Sequence, residues 1–218
     1  MPDFTLYITH KNYSSWSLRA WLLMRVFEIP FEEKLVSMES DATVPDMEGV
    51  SPTRKVPCLV DRERGVTIWE SIAITEYLAE EFPDRAIWPT DRTARAKARA
   101  YVAEMHAGFM ALRSECPMNL RRRPAIIEIG SQARRDVARV ETIFAQCLGQ
   151  SGGPFLAGEF SALDTFFVPV LKRLQTYRLS DHPTIEAFAD ALDTLPAWRE
   201  WHAAAMLETQ IIEADEVP

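Results

Sequence analysis

Several features that would mark common protein classes are scarce in this chain. It has only three cysteines, Cys58, Cys116 and Cys147, in 218 residues. They are far apart and odd in number, which gives no disulfide framework and no zinc-ligand spacing, and such usage suits a reducing compartment. His10 and His106 have no carboxylate or cysteine at ligand spacing, so no metal is expected. A basic surplus is also missing: Lys plus Arg number 24 against 32 Asp plus Glu, for a formal charge of −8. That balance argues against nucleic acid as a partner. The one basic cluster, Arg121-Arg122-Arg123, reads as a solvated loop face rather than a phosphate site. No apolar run approaches the roughly 20 residues of a membrane-spanning helix, so no membrane partner is expected. Met1-Pro2-Asp3 lacks the charged-then-apolar layout of a signal peptide, which makes the expected location cytoplasmic. There is no internal repeat and no low-complexity tract.

What is present is a globular composition, 47% hydrophobic and 10% aromatic, with enough length to bury a sizeable core. Phe4 to Thr9 is a β-type run. Trp16, Leu18, Trp21, Leu22 and Met24 then follow helical spacing, and Ile29-Pro30-Phe31 returns the chain to extended structure. Glu32 to Val36 is a second strand, and residues 39–53 read as an irregular loop with at most one short helix. Val56 to Val60 and Val66 to Trp69 flank a Gly-containing turn, the pattern of a hairpin. Ile72 to about Glu80 is helical. Residues 1–82 therefore predict a small mixed sheet flanked by helices, and residues 83–90, with two prolines and no periodicity, a linker.

Residues 91–218 are mostly helical. Asp91 to Arg113 is one long helix-forming run, interrupted by Pro117 and Pro124. Ile126 to Leu148 is a second, stopped by Gly149 to Gly153. Ser161 to Leu174 is a third, opened by Ser161-Ala162-Leu163-Asp164, a capping box with Asp at its last position. Pro169 predicts a kink or an early end there. Pro183 to Leu192 and Leu195 to Leu207 are two shorter helices.

Three places carry candidate chemistry. Glu70-Ser71 sits where a strand gives way to a helix, and the unpaired N–H groups and positive dipole end of a helix start suit a carboxylate. Tyr13-Ser14-Ser15 precedes the first helix, where small polar residues serve either as plain N-caps or as hydroxyls facing an anion. Pro57 opens a strand. As a trans residue it is an ordinary edge proline, which spacing alone favours; as a cis residue it would turn the Val56 backbone outward to pair with an extended peptide. Cys58, Trp198 and Trp201 read as core. Met105, Phe109 and Leu112 read first as a core face and second as a substrate wall.

Together these residues resemble the cytosolic glutathione transferase family, serine-type and similar to zeta and theta members. Lys55-Val56-Pro57 resembles the family's cis-proline motif, and Glu70-Ser71-Ile72-Ala73-Ile74 its acidic-Ser-x-Ala-Ile signature. Ser14-Ser15-Trp16-Ser17 takes the place of a thioredoxin C-x-x-C, and Ser161 to Asp164 resembles the capping motif of its helical half. The resemblance spans nearly the whole chain. It implies an α/β thioredoxin-like N-terminal domain that binds glutathione, followed by an all-α, all-helical C-terminal domain that supplies the electrophile pocket. It further implies glutathione as co-substrate, no metal, a small hydrophobic electrophile and a homodimer. Ser71 and Glu70 would hold the γ-glutamyl end, Val56 and Pro57 the cysteinyl unit, and Arg54 or Lys55 the glycyl carboxylate. The thiol would then lie near Ser14, with Ser15 and Tyr13 as neighbouring candidates. Lowering its pKa by about two, worth roughly 2.7 kcal/mol, would make it nucleophilic at neutral pH. Two other functions compete. One is a glutathione-dependent cis-trans isomerase of the maleylacetoacetate type, weakened because Cys is missing from the Ser-Ser segment. The other is a non-catalytic binding module.

Overall fold

The computed structural model describes residues 3–37 and 47–217. Part of the expected 39–53 loop therefore lies outside the described residues. The first half contains β1 (Phe4–Ile8), α1 (Ser15–Val26), β2 (Phe31–Leu35), β3 (Cys58–Asp61), β4 (Val66–Trp69) and α2 (Ser71–Glu81). The strands form one sheet in the order β2-β1-β3-β4. β1 pairs parallel with β2 and antiparallel with β3, and β3 pairs antiparallel with β4 in the expected hairpin. The Val56–Pro57 peptide bond is cis, so β3 begins only at Cys58, after a proline that has no N–H to give the ladder. β1 is the buried central part of the sheet: Leu6 and Ile8 are fully buried, and Thr5 on the other face is nearly so. This is the thioredoxin-like arrangement.

The second half is helical: α3 (Arg92–Ala107), α4 (Met110–Glu115), α5 (Ser131–Ser151), α6 (Ala162–Thr176), α7 (Pro183–Asp193) and α8 (Pro196–Leu207). Three expectations fail here. The run from Asp91 to Arg113 is two helices, because the chain turns at Gly108 and Phe109, where Phe109 takes a left-handed conformation at φ 55°. A side chain at 108 would lie 2.6 Å from the Glu104 carbonyl oxygen, so glycine is what lets the chain turn there. Asp136 of α5 accepts from Leu112 N at 3.1 Å and caps the restarted helix. The second run begins at Ser131 rather than Ile126, since residues 117–122 are drawn to the first half. There the buried Asn12 bonds Asn119 at 3.1 Å and accepts from Arg121 N at 2.9 Å. Finally, Pro169 does not end α6, which continues to Thr176. Within this helix Thr165 Oγ1 donates to the Ala162 carbonyl and Arg173 Nη1 to the Pro169 carbonyl.

The capping box forms as spaced. Asp164 accepts from Ser161 N and Leu156 N, both at 2.8 Å, and from Ser161 Oγ at 3.1 Å. Burial nevertheless pushes its carboxyl up to about 7, the donors only partly offsetting the loss of water. The two halves meet along α1, which packs on α6 and α8. Trp21 of α1 lies edge-on to Trp201 of α8 at 5.1 Å, with Trp198 and Trp201 in the core as expected.

Candidate functional site

Ser14 is the N-cap of α1. Its Oγ accepts from Ser17 N at 3.2 Å and donates to Ser17 Oγ at 2.8 Å. The plain capping role is therefore real. The single O–H proton of Ser14 is engaged by Ser17 Oγ in the free protein, so donation to a bound anion requires the proton to swing from that acceptor. Ser15 is buried at the first helical position and accepts a long bond of 3.4 Å from Arg173 Nη2. Tyr13 also lines the cleft described below, with its hydroxyl engaged: it donates to Glu216 at 2.6 Å and accepts from Arg121 at 3.1 Å. Its pKa is raised chiefly by burial and then by Glu216.

Two clefts adjoin this helix start. The smaller, about 20 Å³, is lined by Trp16, Thr53, Lys55, Val56, Pro57, Trp69 and Glu70. It brings together most of the expected clamp. Ser71, the first residue of α2, is buried beside Glu70, and its Oγ has no hydrogen-bond partner among the described residues. Glu70 itself holds φ 71°, ψ 130°, an uncommon conformation for a residue with a side chain. Arg54 is exposed, at φ 52°, and lines neither cleft.

The larger cleft, about 310 Å³, is lined by Tyr13, Ser14, Ser15, Trp16, Met110, Arg113, Ser114, Pro117, Met118, Arg173 and Asp215. Met105, Phe109 and Leu112 are buried in the core and do not line it, so the core reading of that face holds. Trp16 is the wall common to both clefts, and sequence reasoning missed it. Its ring is gripped by Arg19 on one hand, with Cζ 3.9 Å from the centroid, and by Arg113, at 4.6 Å. His106 meets it edge-on at 5.1 Å.

Arginine predominates in the electrostatics of this region. Arg19 is buried, donates only to Met105 Sδ at 3.4 Å, and leaves Nε and Nη1 without partners among the described residues. Burial holds its pKa well below the usual guanidinium value, helped by Arg173 and Arg113. Arg173 is likewise lowered to about 10 by burial, then by Arg113. Its hydrogen bonds go to neutral acceptors: the Cys116 and Pro169 carbonyls and Ser15 Oγ. Arg113 and Arg173 line the larger cleft, where only the Asp215 carboxylate acts against them, and their surplus of positive charge suits an anionic guest. No spacing rule reaches these residues, because Arg19, Arg113 and Arg173 come from three helices. The three cysteines are all buried, and burial pushes each thiol to about 11, which agrees with a packing role for Cys58. Among the described residues no group of three or more His, Cys, Asp or Glu could hold a metal ion, and no helix is long and apolar enough to cross a membrane.

Comparison with known proteins bears on the same site. Residues 13–81 match the family described as glutathione S-transferase, N-terminal domain, and residues 96–204 its C-terminal domain. A probable maleylacetoacetate isomerase from Caenorhabditis elegans is 28% identical over 200 residues, covering 90% of this chain and 92% of that one. The maleylacetoacetate isomerase of Pseudomonas aeruginosa is 27% identical over 214 residues, covering 94% and 98%. A glutathione transferase homolog from Burkholderia, solved with bound glutathione, superposes with a TM-score of 0.69 at 23% identity, covering 93% and 97%, a likeness of fold. With the sheet, the helical half and both sequence families in agreement, the chain belongs to the glutathione S-transferase family.

Proposed function

We propose that glutathione, the co-substrate of this transferase, lies across the smaller cleft with its sulfur at the start of α1, where Ser14 donates to the thiolate. One observation carries the reading: Trp16 is flanked by the cis-Pro57 and Glu70 cleft on one side and by the Ser14 and Ser15 cleft on the other. A peptide paired with the Val56 backbone and held at one end by Ser71 would reach from one to the other. The unpartnered Ser71 Oγ supports its role toward the γ-glutamyl carboxylate. Lys55, at the cleft edge, is better placed than Arg54 for the glycyl end. The thiol proton leaves to solvent, and the sulfur attacks an electrophilic carbon of a second substrate in the larger cleft. There the displaced electron pair departs with a leaving group such as halide or moves onto a conjugated carbonyl or epoxide oxygen that then takes a proton from solvent.

That second cleft refines the expected hydrophobic electrophile. Met110, Pro117 and Met118 offer apolar surface, but Arg113 and Arg173 share the wall. The acceptor we infer has a small apolar body and a carboxylate. The same pair favours the isomerase reading as runner-up: a thiolate that adds to a carbonyl-conjugated double bond, leaving its electron pair on the carbonyl as an enolate, lets the new single bond rotate and is then expelled would act on a carboxylate-bearing enone. Relatives named maleylacetoacetate isomerase fit that chemistry, whereas Trp16 stands where a Cys would be expected. A homodimer, a cytoplasmic location, and domain limits at 1–82 and 91–218 joined by 83–90 complete the proposal. The test is a panel of a nitroaryl halide, an epoxide, a hydroperoxide and maleylacetone, each assayed with and without glutathione. Turnover of maleylacetone above the neutral compounds supports a carboxylate-bearing acceptor. Glutathione-dependent turnover of none of the four would favour the binding module.

A further inference from the structure

The segment after α8 folds back over the larger cleft and is fastened along its length. Glu208 accepts from Lys11 N at 2.6 Å and from Asn12 N at 2.9 Å. Arg121 donates to the Glu208 carbonyl and, at 2.8 Å, to that of Gln210, while Arg122 donates to the Val217 carbonyl. Glu216 takes hydrogen bonds from Tyr13 at 2.6 Å and Asn119 at 2.9 Å. The run at 121–123 is thus no solvated face: two of its arginines hold this strap. The strap brings one acid into the cleft, Asp215, half-buried and lining the same space as Ser14, Ser15, Arg113 and Arg173. Its side chain makes no hydrogen bond or ion pair among the described residues. It is nonetheless within electrostatic reach of Arg173, and burial raises its pKa.

We propose that Asp215 is a specificity-determining residue, which partly neutralises the Arg113 and Arg173 wall and so limits how much negative charge the second substrate can carry. This rests on the glutathione-transferase reading of the cleft. With the aspartate present, two guanidinium groups and one carboxylate leave room for a single anionic group. A more negative acceptor meets repulsion from a charge that the fold holds in place. At the effective dielectric of a half-buried cleft, one charge at several ångströms changes an anion's affinity by about tenfold.

The experiment measures binding of S-propylglutathione and S-(2-carboxyethyl)glutathione, thioethers that differ at the far end by a carboxylate, through quenching of tryptophan fluorescence. In Asp215→Asn the affinity ratio of carboxylate to neutral ligand should rise about tenfold. Glu216→Gln keeps the Asp215 charge but loosens the strap, and should move both ligands alike and leave the ratio within about twofold. An Asp215→Asn ratio equal to that of the unsubstituted protein, or matched by Glu216→Gln, overturns the proposal and leaves the glutathione reading standing. Failure of the unsubstituted protein to bind either thioether sinks both.

Discussion

Ser14 is assigned two roles that can be pulled apart, because glycine and alanine at an N-cap differ in one of them. The cap bond from Ser17 N to Ser14 Oγ at 3.2 Å is lost in both variants. Alanine at an N-cap costs about 1 kcal/mol of stability, glycine only a few tenths. For a chain of this size about 1 kcal/mol is roughly 2–4 °C in melting temperature. The second role, donation to the thiolate, is absent in both. A hydrogen bond to a charged group contributes about 1.5–3 kcal/mol, or about one to two in the pKa of the bound thiol. Ser14→Ala and Ser14→Gly should therefore raise that pKa equally while differing in melting temperature. The assay is the ultraviolet absorbance of bound thiolate titrated against pH, beside thermal melts of the same samples. A thiol pKa that tracks the melting temperature, higher in alanine than in glycine, would make the shift a by-product of a frayed helix. A shift seen only in Ser15→Ala would move the catalytic hydroxyl one residue on, toward Arg173.

Other substitutions probe the surroundings. Ser71→Ala removes a buried hydroxyl that has no hydrogen-bond partner among the described residues, so stability should change by less than about 1 kcal/mol while retention on immobilised glutathione is lost. A large drop in melting temperature with retention intact would contradict it. Asp164→Ala strands the Leu156 and Ser161 N–H groups, at about 1–3 kcal/mol each, and should lower the melting temperature by about 10 °C; a fall below 2 °C refutes the assigned bonds. His106, facing Trp16, Glu70, Arg19 and Arg113, has its pKa lowered chiefly by burial and then by Arg19, with Glu70 opposing. A folded pKa below the unfolded value of about 6.5 means the unfolded chain takes up the proton first. The ring's contribution is then present above that pH and lost as pH falls. Melting temperature between pH 7 and 5 should decline less steeply in His106→Asn, and parallel curves would show that the ring does not titrate as argued.

The fold was readable wherever local chemistry decides it. Alternating and β-branched runs placed the strands, and the Ser161 to Asp164 box and the Gly149 to Gly153 stop marked helix ends that the structure keeps to within a few residues. Errors arose where a distant partner decides. The break at Gly108 depends on Asp136 in another helix, and the delayed start of α5 on Asn12 in the first half. The site divides in the same way. Val56-Pro57, Glu70-Ser71 and Ser14-Ser15 are contiguous motifs and could be read. Trp16 as a shared wall, Arg113 and Arg173 as its cationic side, and Asp215 on its strap are brought together only by packing of α1, α4, α6 and the tail. Arg121 and Arg122 look free in sequence because their acceptors are main-chain carbonyls some ninety residues later, which leave no trace in side-chain pattern.

α1 belongs to both halves at once: its first turn faces the clefts, and its flanks are packed against α6 and α8. Prising the halves apart would expose Leu18, Trp21 and Leu22, each fully buried, and burial of one such side chain is worth about 1.5–3 kcal/mol. The chain should therefore melt as one cooperative unit rather than half by half, with α1 among the last segments to exchange its amide hydrogens. The same seam constrains engineering. A chimaera that joins this thioredoxin-like half to a relative's helical half must carry matching surfaces of α1, α6 and α8, because a misfit there would tilt the helix whose first turn presents Ser14.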